Sequence, residues 1–146
     1  MSVLIDTPVW SLALRRKAAQ LSVAERQLVA EWKTLIFDGR ARLAGIIRQE
    51  VLSEVREARD FERLRERLAA FDDVPAGAAD HECAASYFNA CRAKGVTPTA
   101  FDVLICALAA RHGLTIFTTD TDFTRYAKIL PIKLPALKRP DHPSAR

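Results

Sequence analysis

Hydrophobic residues along this chain follow two rhythms. Short runs bounded by polar residues, Val3-Leu4-Ile5, Arg42-Leu43-Ala44 and Thr115-Ile116-Phe117, predict buried strands, with briefer strands at Val74 and Ile132–Leu134. Between them, apolar residues recur at helical spacing. Thr7-Pro8 supplies an N-cap and an N1 proline for a helix over Pro8–Arg16. Ser22-x-x-Glu25 is a capping box, and Leu28, Val29, Trp32, Leu35 and Ile36 then line one face until Asp38-Gly39. Further helices are predicted over Ile46–Val55, Arg59–Phe71, Ala78–Lys94, from Thr97-Pro98 to Gly113, and over Asp122–Lys128. Strands of three to four residues alternating with helices imply parallel strands joined by helical crossovers, an α/β sandwich. In such sheets ligands bind at the carboxyl ends of the strands, so chemistry is expected just after each one.

Composition narrows the class. The 146 residues are 49% hydrophobic and 27% charged, which suits one globular domain and excludes a disordered chain. Residues 1–137 read as that single domain, and 138–146 as a basic, proline-containing tail expected to be mobile. No apolar run approaches the roughly 20 residues that span a bilayer. The start, Met1-Ser2-Val3-Leu4-Ile5-Asp6, lacks the cationic and long apolar regions of a signal peptide. The expectation is a cytoplasmic protein with no membrane role. Cys83, Cys91 and Cys106 have no metal-ligand spacing and are expected to pack as small hydrophobes.

Most acidic residues need no special account, and those between Glu54 and Asp73 alternate with arginine on a solvated helix face. Four others do need one. Asp6 directly follows the first strand, and reads either as a helix N-cap or as a strand-end ligand. Asp102 sits early in Phe101-Asp102-Val103-Leu104-Ile105-Cys106-Ala107-Leu108, a helix apolar all round and therefore buried. The helix dipole offers a carboxylate there only about 0.3–1 kcal/mol. Burying an ion costs several kcal/mol. Glu50 borders the apolar stripe of its helix between Ile46 and Ile47, and Glu54, one turn later, is a rival on the same arc. Asp120, just past Thr115–Phe117, reads as turn chemistry or as a fourth acid on the same rim. Two charges about 4 Å apart repel by about 4 kcal/mol at an effective dielectric of about 20. Four carboxylates on one rim would therefore call for a counter-cation. Oxygen ligands without nearby His or Cys select Mg²⁺ or Mn²⁺ over zinc.

Charge then changes the picture. The chain carries 22 Lys and Arg against 18 Asp and Glu. Setting the four acids aside leaves 14 acidic residues and a remainder of +8. A basic surface around an acidic, metal-filled pit suits cleavage of a phosphodiester backbone. Arg15, Arg16, Lys17, Arg111, Arg125 and Lys128 are candidate contacts to backbone phosphates, with Lys138 and Arg139 similar in the tail. His81, His112 and His142 lie near a helix start, at a helix end and in the tail, which disfavours histidine-driven cleavage.

Four segments, taken in order, resemble a known family: Val3-Leu4-Ile5-Asp6-Thr7-Pro8-Val9-Trp10, Gln49-Glu50-Val51-Leu52, Phe101-Asp102-Val103-Leu104-Ile105-Cys106-Ala107-Leu108-Ala109, and Gly113-Leu114-Thr115-Ile116-Phe117-Thr118-Thr119-Asp120-Thr121-Asp122-Phe123. The chain resembles the PIN domain, most closely the VapC-type ribonuclease toxins of prokaryotic toxin–antitoxin pairs, over about residues 3–134. Pro8 and Cys106 depart from the common Ser and Ala without touching a carboxylate. The resemblance implies an α/β/α sandwich on a short-stranded parallel sheet and an Mg²⁺- or Mn²⁺-dependent endoribonuclease. It implies metal ligands at Asp6, Glu50, Asp102 and Asp120, with Thr119 and Asp122 supporting and Thr119 hydrogen-bonding to the site. It implies products with 5′-phosphate and 3′-hydroxyl ends, a cognate antitoxin as partner, and a homodimer. Trp10, Leu12 and Leu14, or the Ser22–Phe37 helix, offer apolar surface to a partner helix unless they face the chain's own core. Two other readings are a PIN-like RNA-processing or binding protein with little activity, and a receiver-like phospho-acceptor module.

Overall fold

The structure is a computed structural model that describes residues 1–135. The tail 138–146, with Lys138, Arg139 and His142, lies outside the described residues.

Four strands, β1 (Val3–Ile5), β2 (Ala41–Ala44), β3 (Asp73–Val74) and β4 (Thr115–Phe117), form one parallel sheet in the order β3-β2-β1-β4. Leu4 pairs with Arg42 on one side and Ile116 on the other. Strands buried on both faces need apolar side chains throughout, which is why β1 and β4 read as unbroken runs. The helices α1 (Thr7–Arg15), α2 (Val23–Phe37), α3 (Gly45–Ser53), α4 (Ala58–Leu68), α5 (Ala78–Ala93), α6 (Ala100–His112) and α7 (Asp122–Tyr126) flank the sheet as an α/β/α sandwich. α1 packs on α2 and α3, α3 on α4, and α5 on α6. Among the described residues no helix is long and apolar enough to cross a membrane.

The strand order reverses direction at β1. Successive connections step from β1 to β2 to β3, then jump back to β4 on the other side of β1. The carboxyl ends of β1 and β4 therefore border the crevice where such sheets bind ligands.

The core explains several boundaries. Trp10 is fully buried, its ring edge-on to Trp32 and Phe71 at 5.7 and 5.1 Å, and its indole N–H donates to the Ile5 carbonyl at 2.9 Å. Trp10 thus faces the chain's own core and is no partner surface. Arg48 binds the carbonyls of Leu68 and Phe71 and the Asp73 carboxylate, tying α3 to the end of α4 and to β3. α6 stops at Gly113, whose φ of 68° is the left-handed conformation that glycine adopts freely.

Two predicted elements differ. Ile132–Leu134 forms no strand. The Ile116 N–H donates to the Lys133 carbonyl at 2.9 Å, but Pro131 and Pro135 lack an N–H and leave too few donors for a ladder. α6 begins at Ala100, not at Thr97-Pro98. The Thr99 hydroxyl accepts from the Asp102 N–H at 3.0 Å and is the cap that sets the start.

Candidate metal centre

The centre begins where β1 ends. The Asp6 N–H extends the sheet by donating to the Phe117 carbonyl at 2.9 Å, which draws the residue after β1 beside the residue after β4. Asp6 is the N-cap of α1, with Oδ1 accepting from the Thr7 N–H at 2.8 Å. Its other oxygen accepts from the Thr118 hydroxyl at 2.8 Å. The cap and ligand readings of Asp6 are thus compatible, because each carboxylate oxygen has two lone pairs. Asp6 is only 6% exposed. Burial, reinforced by the nearby charges of Glu50 and Asp102, pushes its pKa up to about 6 against the hydrogen bonds from Thr118 and Thr7.

The turn after β4 supplies the next acids. The Thr118 hydroxyl also accepts from the Asp120 N–H at 3.0 Å, and Asp120 Oδ1 accepts from the Asp122 N–H at 2.9 Å. These i to i+2 links fold Thr118–Asp122 so that α7 starts at the sheet edge. Asp102, at the third position of α6, meets this turn. One carboxylate oxygen each from Asp102, Asp120 and Asp122 lies within 4.8 Å of the others. Burial raises the Asp102 pKa, Tyr126 opposes the rise, and Asp120 and Asp122 add to it. Glu50 reaches the same rim from α3. Its pKa is raised by burial and by the charges of Glu54 and Asp102.

Asp6, Glu50 and Asp102 are therefore electrostatically coupled, with Asp120 and Asp122 acting on Asp102. A hydroxyl beside them has no protein partner. Thr7 Oγ1 is buried and close enough to Glu50 to oppose its rise in pKa, yet lies outside hydrogen-bond geometry with every described atom. An orphaned hydroxyl facing a set of hard carboxylate oxygens fits a hydrated divalent ion.

Some expected partners lie elsewhere. Thr119 does not hydrogen-bond to the carboxylates. That work falls to Thr118, which the turn after β4 brings onto Asp6, while Thr119 lines a neighbouring groove. This groove, about 640 Å³, is lined by Pro8, Ser11, Arg15, Arg16, Glu54 and Thr119 among others. Glu54 is not at the centre either. Its Oε2 accepts from Arg15 Nη1 at 2.7 Å and from the Ser11 hydroxyl at 2.8 Å. Arg15 is thus held at the groove mouth by a carboxylate, and Arg16 stands 4.0 Å from Glu25.

Lys17, Arg125 and Lys128 are exposed and are in no salt bridge among the described residues. Arg111 differs. It lies nine residues, about 13 Å, along α6 from Asp102 and donates to Asp80 Oδ1 at 2.9 Å. His112 Nε2 is 3.3 Å from the same oxygen. This end of α6 adjoins Met1 and Ser2, which precede β1, whereas the acids lie beyond the carboxyl ends of β1 and β4. Cys91 and Cys106 are buried, Cys83 half-buried, and all three are free thiols.

Of the residues around the centre, Thr7 reads in the sequence only as a cap, which falls to Asp6 instead, and Thr118 and Tyr126 have no carboxylate to mark them. The Thr-x-Asp spacing of Thr118 and Asp120 was the available signal for one of them, since it is the pattern of a hydroxyl capping a turn.

Comparison with known proteins gives the family. Over 133 residues the chain is 33% identical to the VapC ribonuclease Mb1587 of Mycobacterium bovis, covering 87% of this chain and 92% of that protein. The same figures hold for the ribonuclease VapC11 of Mycobacterium tuberculosis. FitAcB from Neisseria gonorrhoeae shares the fold with a TM-score of 0.67 at 23% identity, over 91% of this chain and 96% of that one. VapBC2 from Rickettsia felis, bound to a DNA fragment from its promoter, does so with a TM-score of 0.68 at 14% identity, over 92% and 98%. Residues 3–129 match the model of the PIN domain family, and the chain belongs to that family.

Proposed function

We propose that this chain is a divalent-metal-dependent endoribonuclease, the toxin of a toxin–antitoxin pair. The observation that carries the reading is the convergence of Asp102, Asp120 and Asp122 to within 4.8 Å beside the buried Asp6. Relatives named VapC ribonucleases support the substrate class. Asp6, Glu50, Asp102 and Asp120 would hold Mg²⁺ or Mn²⁺, with Asp122 beside them. When bound, the ion supplies Lewis acidity at the scissile phosphate and lowers the pKa of water.

The chain's own residues do the rest. Ionised Asp6 and Asp102 hold a negative pit open to a cation, and Thr118 fixes the orientation of Asp6. The cations at the rim, Arg15, Arg16, Lys17, Arg125 and Lys128, hold the RNA backbone. Arg111, at the far end of α6 and paired with Asp80, has no place in that set. No histidine and no 2′-hydroxyl of the RNA is needed, so the products are 5′-phosphate and 3′-hydroxyl ends.

Purified chain, labelled RNA and Mn²⁺ test this. The expected result is cleavage that EDTA stops and Asp6→Asn abolishes, with the stated ends. Products ending in 2′,3′-cyclic phosphate would overturn it.

The partner is a protein antitoxin, as the VapBC2 complex and its relatives have. Two copies of this chain pair through the apolar depression between α5 and α6, about 460 Å³, where Phe88, Phe101 and Leu104 lie with Phe101 36% exposed. Sedimentation of wild type and Phe101→Glu checks the pairing. Equal monomer mass for both would sink it.

A further inference from the structure

Tyr126 is 2% exposed, and its hydroxyl donates to Asp102 Oδ2 at 2.8 Å. This tyrosine ends α7, a helix of only five residues. Asp122 begins the same helix, four positions earlier, so both side chains project from one face. That face meets Asp102, whose carboxylate lies near Asp122 at one end of α7 and binds Tyr126 at the other. The ring is locked in turn. It lies edge-on to the fully buried Phe123 at 5.2 Å.

A half-buried carboxylate whose oxygen meets a fixed donor is held in one orientation. Among the described residues Tyr126 is the one side-chain donor in full hydrogen-bond geometry on Asp102, while the Thr99 hydroxyl also helps to hold its pKa down, so without Tyr126 the carboxylate would be freer to turn about its terminal torsion. With it, Oδ1 and the second lone pair of Oδ2 are left for a cation. Ligand carboxylates are commonly held by such outer partners, whose removal typically costs about 10–100-fold in metal affinity.

We propose that Tyr126 is a positioning residue for the acidic centre, its hydroxyl setting the orientation in which Asp102 receives a divalent ion. This rests on the metal-centre reading above and deepens it. It makes α7 a single device that delivers a carboxylate at its start and a clamp at its end.

Mn²⁺ binding without RNA tests the inference, measured calorimetrically on the full chain. Wild type is expected to bind, and Tyr126→Phe to bind roughly tenfold or more weakly. Phe123→Leu, which loosens the same packing but keeps the hydroxyl, is expected to bind like wild type. Equal affinity in wild type and Tyr126→Phe, or equal loss in both variants, overturns the positioning role. Wild type failing to bind Mn²⁺ overturns the metal centre itself, and the role with it.

A second measurement needs no substitution at Tyr126. The chain has two tyrosines, Tyr87 and Tyr126. Labelled with 3-fluorotyrosine, it gives two fluorine resonances, assigned with Tyr87→Phe. Substoichiometric Mn²⁺ is expected to broaden the Tyr126 resonance far more than the Tyr87 one. Equal or absent broadening of Tyr126 overturns the proposal.

Discussion

The Thr118 hydroxyl donates to Asp6 Oδ2 at 2.8 Å across the gap between the ends of β1 and β4. The Thr118 hydroxyl oxygen in turn accepts the Asp120 N–H at 3.0 Å. One hydroxyl thus orients an acid from each of the two strands that border the crevice.

Replacing that hydroxyl separates it from its neighbour. Thr118→Val is expected to lower Mn²⁺-dependent cleavage by about 10–100-fold, the usual cost of losing a ligand's outer partner. Thr119→Val faces the groove and is expected to stay within roughly twofold, as surface substitutions do. Cleavage rates of the two variants at saturating RNA check this. The reverse ranking would place the working hydroxyl at Thr119.

Asp6 sets a pH dependence. Its folded pKa of about 6 exceeds the 3.8 of an unperturbed Asp, so between those values the folded chain binds more protons than the unfolded one. Stability of the metal-free protein therefore falls as pH rises through that window, by up to about 3 kcal/mol from this residue. Asp6→Asn keeps the cap and removes the charge. It is expected to melt higher than wild type at neutral pH in EDTA, by roughly 2–4 °C per kcal/mol, with the difference vanishing near pH 4. Saturating Mn²⁺ is expected to reverse the order, since the ion needs the ionised carboxylate. Melting curves of both proteins across pH decide it.

Glu50 and Glu54 share one arc of α3 and its end, but not one role. Glu50→Gln is expected to cut cleavage by about tenfold or more and to weaken Mn²⁺ binding. Glu54→Gln loosens Arg15 and Ser11, an exposed pairing worth less than about 1 kcal/mol, and leaves Mn²⁺ affinity unchanged. Calorimetric Mn²⁺ titration of both variants distinguishes them.

The basic residues divide in the same way. Asp80 is nearly buried, with its pKa held down by the Gly77 N–H first and by Arg111 next. Arg111→Ala is expected to lower the melting temperature and leave RNA affinity alone. Arg125→Ala is expected to weaken RNA binding and reduce the slope of log affinity against log salt by about 0.7. Binding isotherms at several salt concentrations read both effects.

Most of the element order and the sheet class were legible along the chain, because strand burial and helix periodicity are local patterns, and four acids stood out as candidates. Asp102 stood out because an ionisable group in an all-apolar helix needs a partner whatever the fold. What the chain could not reveal was which neighbours share a centre. Glu50 and Glu54 differ by one helical turn, and packing gave them different surroundings, Glu50 near Thr7 and Asp102 and Glu54 against Arg15 and Ser11. Thr118 and Thr119 are adjacent, and the turn after β4 decides which of them meets Asp6. Arg111 looked like any other cation until α6 carried it to the far side, against Asp80. Tyr126 became part of the centre only when α7 folded back over α6. Periodicity encodes burial residue by residue, whereas a site is a set of distances between segments far apart in sequence, and only packing fixes those.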